Sequence, residues 1–267
     1  MATRKTVLLL SINLKHSYNP MLVTGHQPNY LPYIGFFHKV SLADTFVIVD
    51  VVQYVKRGPF GWINRNRIRT SQGWIWLTVP VKTKGKFHQS IMETEIDNST
   101  PWARKHLKSI ERNYQNTPYF HKYFEFLEYI YHKQWVWLAE LNEAIILYII
   151  EQLGIKVRIV KASQLGLDYN PPDADNKNDS SATELLIRIC RKLGSDSYLH
   201  GKHGQDYVDE NIMKQANVTS YFHDFQHQVY KQQYEPFMPE MSIIDLLFNC
   251  GDKSLEIIRR SGKYICR

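Results

Sequence analysis

The chain has 267 residues and a formal net charge of +7, with 43% hydrophobic and 13% aromatic residues. That balance excludes wholesale disorder and lets one large or two small cores form without staples, while thirteen glycines and eleven prolines exclude collagen-like and low-complexity classes. No apolar run approaches the roughly 18 residues of a membrane-spanning helix, so a soluble globular protein without a membrane span is expected.

Residues 1–20, with Arg4, Lys5 and the short run Val7-Leu8-Leu9-Leu10, make a poor secretory signal and read as an N-terminal extension outside the fold. Leu22-Val23-Thr24 reads as a strand broken by Gly25-His26-Gln27-Pro28, and Ile34, Phe36, Phe37 and Val40 then fit a short amphipathic helix. The β-branched run over 45–52 is the pattern of a strand buried on both faces. Strand, turn, helix and buried strand within about thirty residues open a parallel α/β sheet. Another strand is expected over 74–81; Trp62, Trp74 and Trp76 lie among basic residues where exposed rings would stack on nucleic-acid bases, and the simpler reading packs both rings of Trp74 and Trp76.

Pro101 opens a helical insertion, about 101–153, with helices expected over 102–113, 119–132 and 135–153, the last stopped by Gly154. The β pattern resumes over 155–160, and residues 168–180 read as a loop or flap. Ser181 and Glu184 form a capping box for a helix that Gly194 ends. A short strand over 197–199 leads into Gly201 to Gly204, a helix near 205–215, and a final apolar helix beginning at 242. The fold class is therefore α/β, a mainly parallel, Rossmann-like sheet in one domain over 21–251, followed by a basic tail over 252–267.

Three distant cysteines, Cys190, Cys250 and Cys266, match neither a disulfide framework nor a zinc spacing, which favours a reducing cytoplasm. No metal site is assigned, since His200, His203, His223 and His227 match no standard spacing. The two termini carry most of the excess charge, +3 in residues 1–20 and +3 in 250–267, and leave +1 for the body. A near-neutral body disfavours long nucleic-acid tracks. Inside it, however, residues 51–92 hold eight bases and no acid, which suits a compact anion such as a nucleotide phosphate.

Three constellations carry candidate chemistry. Gly25 to Pro32 lies at a strand end, where open parallel sheets bind ligands. There His26 is a candidate acid, base or phosphate contact, and Gln27 and Asn29 supply neutral hydrogen bonds. The exit of the buried strand brings Asp50, Gln53 and Tyr54, then Asn64, Arg65 and Arg67. Arg65 and Arg67 alternate, so on a strand they share a face and clamp an anion together. In the third, Gly201 to Tyr207, Lys202 adds a point charge and Asp206 a helix cap.

These blocks resemble the WbqC-like family in Gly25 through Phe37, Ala43-Asp44, Asp50 through Tyr54, Asn64 through Ile68, Leu77 through Val81, Gly201 through Tyr207 and Met241 through Asn249. His200 and His203 depart from the small residues expected around that glycine loop. The resemblance implies a place in O-antigen or other surface-polysaccharide biosynthesis, with glycine transfer to an amino sugar as the suggested role. A more distant, fold-level similarity to nucleotidylyltransferases of the His-x-Gly-His type implies ATP-driven carboxylate activation.

The leading expectation is a cytoplasmic acyl or glycyl transferase whose partner is a phosphate-bearing small molecule, a sugar nucleotide in particular. His26 and Asp50 are the expected catalytic pair. Gln27, Asn29, Gln53, Tyr54, Asn64, Arg65, Arg67, Lys202 and Asp206 are the expected substrate contacts. The cofactor is open, ATP with Mg being the candidate, and a charged tRNA is left open as donor. The rivals are nucleotidyl transfer and a non-enzymatic carbohydrate- or nucleic-acid-binding module.

Overall fold

The apolar runs on either side of the first turn pair as parallel neighbours in a computed structural model, which describes residues 21–56, 61–169 and 180–266. β1 (Leu22–His26) and β2 (Thr45–Ile48) align Val23 with Thr45 and His26 with Ile48, joined by α1 (Ile34–Ser41). Every residue of β2 is buried, as a central parallel strand requires. β5 (Arg158–Lys161) lies beyond β2, while β6 (Ser197–His200) and β7 (Thr219–Phe225) lie on the other side of β1. The sheet order is β5-β2-β1-β6-β7-β8, with only β8 (Gly262–Cys266) antiparallel. This is the expected α/β class with a mainly parallel sheet.

The chain leaves β1 toward β2 on one side and later returns to β6 on the other. The carboxyl ends of β1 and β6 therefore frame a topological switch point, the crevice where sheets of this kind hold ligands.

Between β2 and β5 the chain forms an antiparallel hairpin, β3 (Arg65–Thr70) and β4 (Gly73–Thr78). Three helices follow, α2 (Trp102–Tyr114), α3 (Phe120–His132) and α4 (Leu138–Leu153). Gly154 closes α4 in the left-handed conformation, as its position implies. α5 (Ser181–Leu193) precedes β6, and its Glu184 accepts a bond from Ser180, one residue before the expected cap.

Several local expectations shift. Residues 202–206 form a 3-10 turn, and the helix that follows is only α6 (Glu210–Gln215). Its cap is Asp209, whose carboxylate accepts from the Asn211 and Ile212 amides, so Asp206 does not cap it. After α7 (Ile243–Cys250), residues read as a basic tail form α8 (Ser254–Arg259) and β8, which pairs with β7 from Tyr221 to Phe225. Residues 1–20 and most of the expected flap lie outside the described residues.

A buried carboxylate binds the hairpin to the helices. Asp245 on α7 is fully buried and accepts hydrogen bonds from Tyr114 (2.9 Å), Tyr230 (2.7 Å) and the Gln232 amide (2.8 Å). The Tyr114 hydroxyl also accepts from the Arg69 backbone N–H of β3 at 2.8 Å. Arg69, 1% exposed, spends its guanidinium on the carbonyls of Thr70, Gly73, Tyr234 and Pro236. Burial raises the Asp245 pKa, against the pull of its three donors. Asp245→Ala leaves those donors without an acceptor, and a loss on the order of 3–5 kcal/mol is expected, measured by urea unfolding.

Candidate functional site

The turn after β1 is held from several directions. The Val49 amide donates to the His26 carbonyl (2.9 Å), and Tyr30 N–H donates to Ile63 O (3.0 Å). Asn142 of α4 donates to both Pro28 O and Ile63 O, and Asn66 of β3 donates to Leu31 O at 2.6 Å. Leu31 is fully buried with φ at 43°, a left-handed backbone that a leucine adopts only when its surroundings enforce it. The hairpin and α4 thus fix the loop that carries His26, Gln27 and Asn29.

His26 lies at the carboxyl end of β1 with its ring 4.9 Å from Phe36. Its Nδ1 is 2.9 Å from the Gln27 carbonyl. A carbonyl only accepts, so Nδ1 carries the hydrogen. Burial and the Lys39 charge pull the ring to a pKa of about 3. The imidazole is therefore neutral at physiological pH, and Nε2 presents a lone pair. This geometry fits accepting a proton better than holding a phosphate.

The cation at the switch point is one that sequence reasoning missed. Lys39, on α1, is 4% exposed, and its ammonium donates to the Gly25 carbonyl at 2.8 Å. A Cβ on Gly201 would stand 3.7 Å from the same nitrogen, so the ammonium sits between the ends of β1 and β6. Burial alone pulls its pKa from 10.5 to about 7. His26, His200 and His223 all sense its charge, and burial brings the last two also to about 3. His200 is stacked on Phe222 and contacts Ser220 Oγ at 3.1 Å, while its Nδ1 is buried without a partner. His38 Nδ1 and His223 Nε2 share a hydrogen bond of 2.6 Å. The switch point is a cluster of neutral imidazoles around one desolvated amine. Such a site favours an anionic group, whose charge restores the amine's protonation.

The other expected residues occupy distinct positions. Asp50 is 4% exposed at the tip of β2, and both its oxygens accept from Ser163, from the amide at 3.0 Å and the hydroxyl at 2.6 Å. It fixes the turn after β5 and keeps further lone pairs. Gln53 donates to Phe87 O at 2.7 Å and Asn64 to Val79 O at 2.8 Å. Asn29 Oδ1, Asn64 Oδ1 and the Tyr54 hydroxyl are buried without a protein partner, as neutral ligand contacts would be. Burial raises Tyr54 to about 12, keeping it a donor.

Arg65 and Arg67 do share a face, but together with Trp62, Trp74 and Trp76, and Arg67 is paired with Glu240 at 2.5 Å. Trp74 and Trp76 are 40% and 36% exposed, so their rings are not packed away as expected. Lys202 and Asp206 lie exposed on the 3-10 turn, where Asp206 meets His203 at 3.0 Å. No sequence signal pointed to Lys39: the apolar residues 34, 36, 37 and 40 of α1 lie on one arc of the helix and Lys39 falls outside it, on the side an amphipathic helix turns to solvent, yet the fold buries that side too.

Lys39→Met is expected to stabilise the protein near neutral pH, by at most roughly 5 kcal/mol. The folded amine has the lower pKa, so the unfolded chain binds the extra proton between about pH 7 and 10.5. Wild-type stability therefore rises with pH through that window, and the variant loses this slope. Urea midpoints measured across the window read the difference.

The sequence pattern of the WbqC-like protein family matches residues 27–257. A curated relative, the uncharacterized protein Rv1507c of Mycobacterium tuberculosis (strain ATCC 25618 / H37Rv), is 38% identical over 235 residues. That alignment covers 87% of this chain and 95% of the relative. The matched span takes in the turn from Gln27 onward, the buried amine, the hairpin and α7, and on these grounds the chain belongs to the WbqC-like protein family.

Proposed function

We propose that this protein is a cytoplasmic transferase of surface-polysaccharide biosynthesis that moves an acyl or aminoacyl group, glycine foremost, onto the amine of an amino sugar or its nucleotide. The observation that carries this reading is the desolvated Lys39 ammonium at the switch point beside the neutral His26 imidazole. In it, Lys39 holds the phosphate or carboxylate of the substrate. His26 Nε2 accepts the proton that the attacking amine sheds as the amide forms. The bound anion raises the pKa of His26 from its low resting value and makes it a better base. Asn29 and Tyr54 give their unpartnered oxygens to neutral groups of the sugar, and Asp50 orients the amino group of the incoming aminoacyl unit.

Nucleotidyl transfer is the second reading, favoured by the β5-β2-β1-β6-β7 order with a histidine turn at the end of the first strand. Among the described residues no group of three or more His, Cys, Asp or Glu side chains is gathered for a metal. Magnesium would therefore enter with the triphosphate, with Asp50 as the strand-tip carboxylate able to meet it.

Incubation with an amino-sugar nucleotide and glycine, with ATP or with charged glycyl-tRNA, is expected to add one glycyl mass to the sugar nucleotide. No mass shift with either donor rejects glycine transfer, and magnesium-dependent pyrophosphate release without it selects the second reading.

Sugar-nucleotide binding, followed by thermal shift, is expected to weaken as pH rises through about 7, because the free Lys39 amine loses its proton there. The stabilisation and its pH dependence should both vanish in Lys39→Met. A ligand shift that persists unchanged in that variant moves the binding site elsewhere.

A further inference from the structure

The β3–β4 hairpin carries a face that the switch-point chemistry leaves unused. Strand alternation places Arg65, Arg67, Trp74 and Trp76 on one side, with Arg67 opposite Trp76 in register. The Arg65 guanidinium lies 4.5 Å from the Trp76 ring centre, and that of Arg67 lies 5.0 Å from Trp74 and 5.3 Å from Trp62. Trp62 and Trp76 are 5.1 Å apart, and Trp74 and Trp76 are 5.5 Å apart. On the other side Ile68 and Leu77 are buried while Ile75 near the turn is exposed, and on the aromatic side Arg69 is buried, which leaves Arg65, Arg67 and the indoles as the accessible part of this face. Exposed apolar area of this kind, interleaved with charge, marks a binding surface.

The groups between the rings are guanidiniums, which donate and do not accept. Arg65 meets the Gly61 carbonyl (3.0 Å) and an indole, and Arg67 shares the exposed Glu240. A neutral sugar would be read by acceptors as well as donors, whereas indoles with guanidiniums suit bases and phosphates. Trp74 and Trp76 meet edge to face with their centres 5.5 Å apart, so unpaired bases would lie on the exposed outer surface of the aromatic cluster and not between the rings. The hairpin also clamps the catalytic turn, through Ile63 to Tyr30 and Asn66 to Leu31.

We propose that this face is a stacking platform for the unpaired bases of a single-stranded nucleic acid. Resting on the aminoacyl-transfer reading, that strand is the unpaired 3′ end of an aminoacylated RNA, which makes the RNA ester the activated donor. The amide bond forms between the acceptor amine and the glycyl carbonyl carbon as the ester bond to the ribose oxygen breaks. The amine proton passes to the released ribose hydroxyl, so no nucleoside triphosphate or oxidant takes part.

The test is binding of a labelled single-stranded oligoribonucleotide ending in CCA to the full-length protein, followed by fluorescence anisotropy and indole quenching. At about 50 mM salt the strand should bind and quench, and its affinity should fall steeply with added salt. The double variant Trp74→Ala/Trp76→Ala should lose about tenfold or more in affinity, while Trp74→Phe/Trp76→Phe keeps it within about threefold. Unchanged circular dichroism melting shows that the variants are folded. No binding at low salt, equal affinity for a blunt duplex, wild-type affinity in the alanine variant, or quenching by a neutral oligosaccharide in place of the strand overturns the platform. The glycyl mass assay judges the transfer reading separately, with ATP as well as with charged RNA.

Discussion

The bond from the Lys39 ammonium to the Gly25 carbonyl sets the terms for the rest of the site. It holds a charge in a space that burial makes hostile to charge, between the ends of two parallel strands. The neighbouring rings of His26, His200 and His223 are kept neutral mainly by their own burial, and the charge of the amine lowers each of them further. The glycine near the end of β1 leaves room for this arrangement. A Cβ at Gly25 would come within 2.7 Å of the Tyr198 hydroxyl, whereas one at Gly201 would make only ordinary contact with the ammonium at 3.7 Å.

Around that centre the molecule separates rigidity from reactivity. The hairpin is anchored by heavily bonded groups, Arg69 donating to four carbonyls through its terminal nitrogens and Asp245 accepting from three donors. The hairpin in turn holds the turn at Leu31 and Tyr30. The groups with spare capacity lie elsewhere: His26 Nε2, the ammonium hydrogens of Lys39, Asn29 Oδ1 and the Tyr54 hydroxyl.

Much of the fold was legible along the chain. The Pro101 opening and Gly154 and Gly194 as helix stops are local signals, and those helices formed close to their expected bounds, whereas the run at 45–52 gave a strand only over Thr45–Ile48, its remainder leaving the sheet toward Gln53. β7 was not legible, because its sequence TSYFHDF mixes polar and aromatic residues without a clean period. β8 was hidden by its basic surroundings, and an exposed edge strand of five residues has little apolar pattern to show. Trp74 and Trp76 were placed correctly on a strand but with the wrong exposure, since alternation fixes which residues share a face and not which face meets the core.

By itself the sequence determined the α/β class and the family, because these rest on local patterning and a contiguous motif. Tertiary structure alone decided which cation the turn would meet. The concentrated bases at 65 and 67 went to the aromatic face of a hairpin, and a single lysine on the short amphipathic α1 reached the switch point. Charge density along a chain counts cations without weighing their solvation. Only packing removes the water around one of them, and removing that water is what lowers its pKa and gives it chemistry.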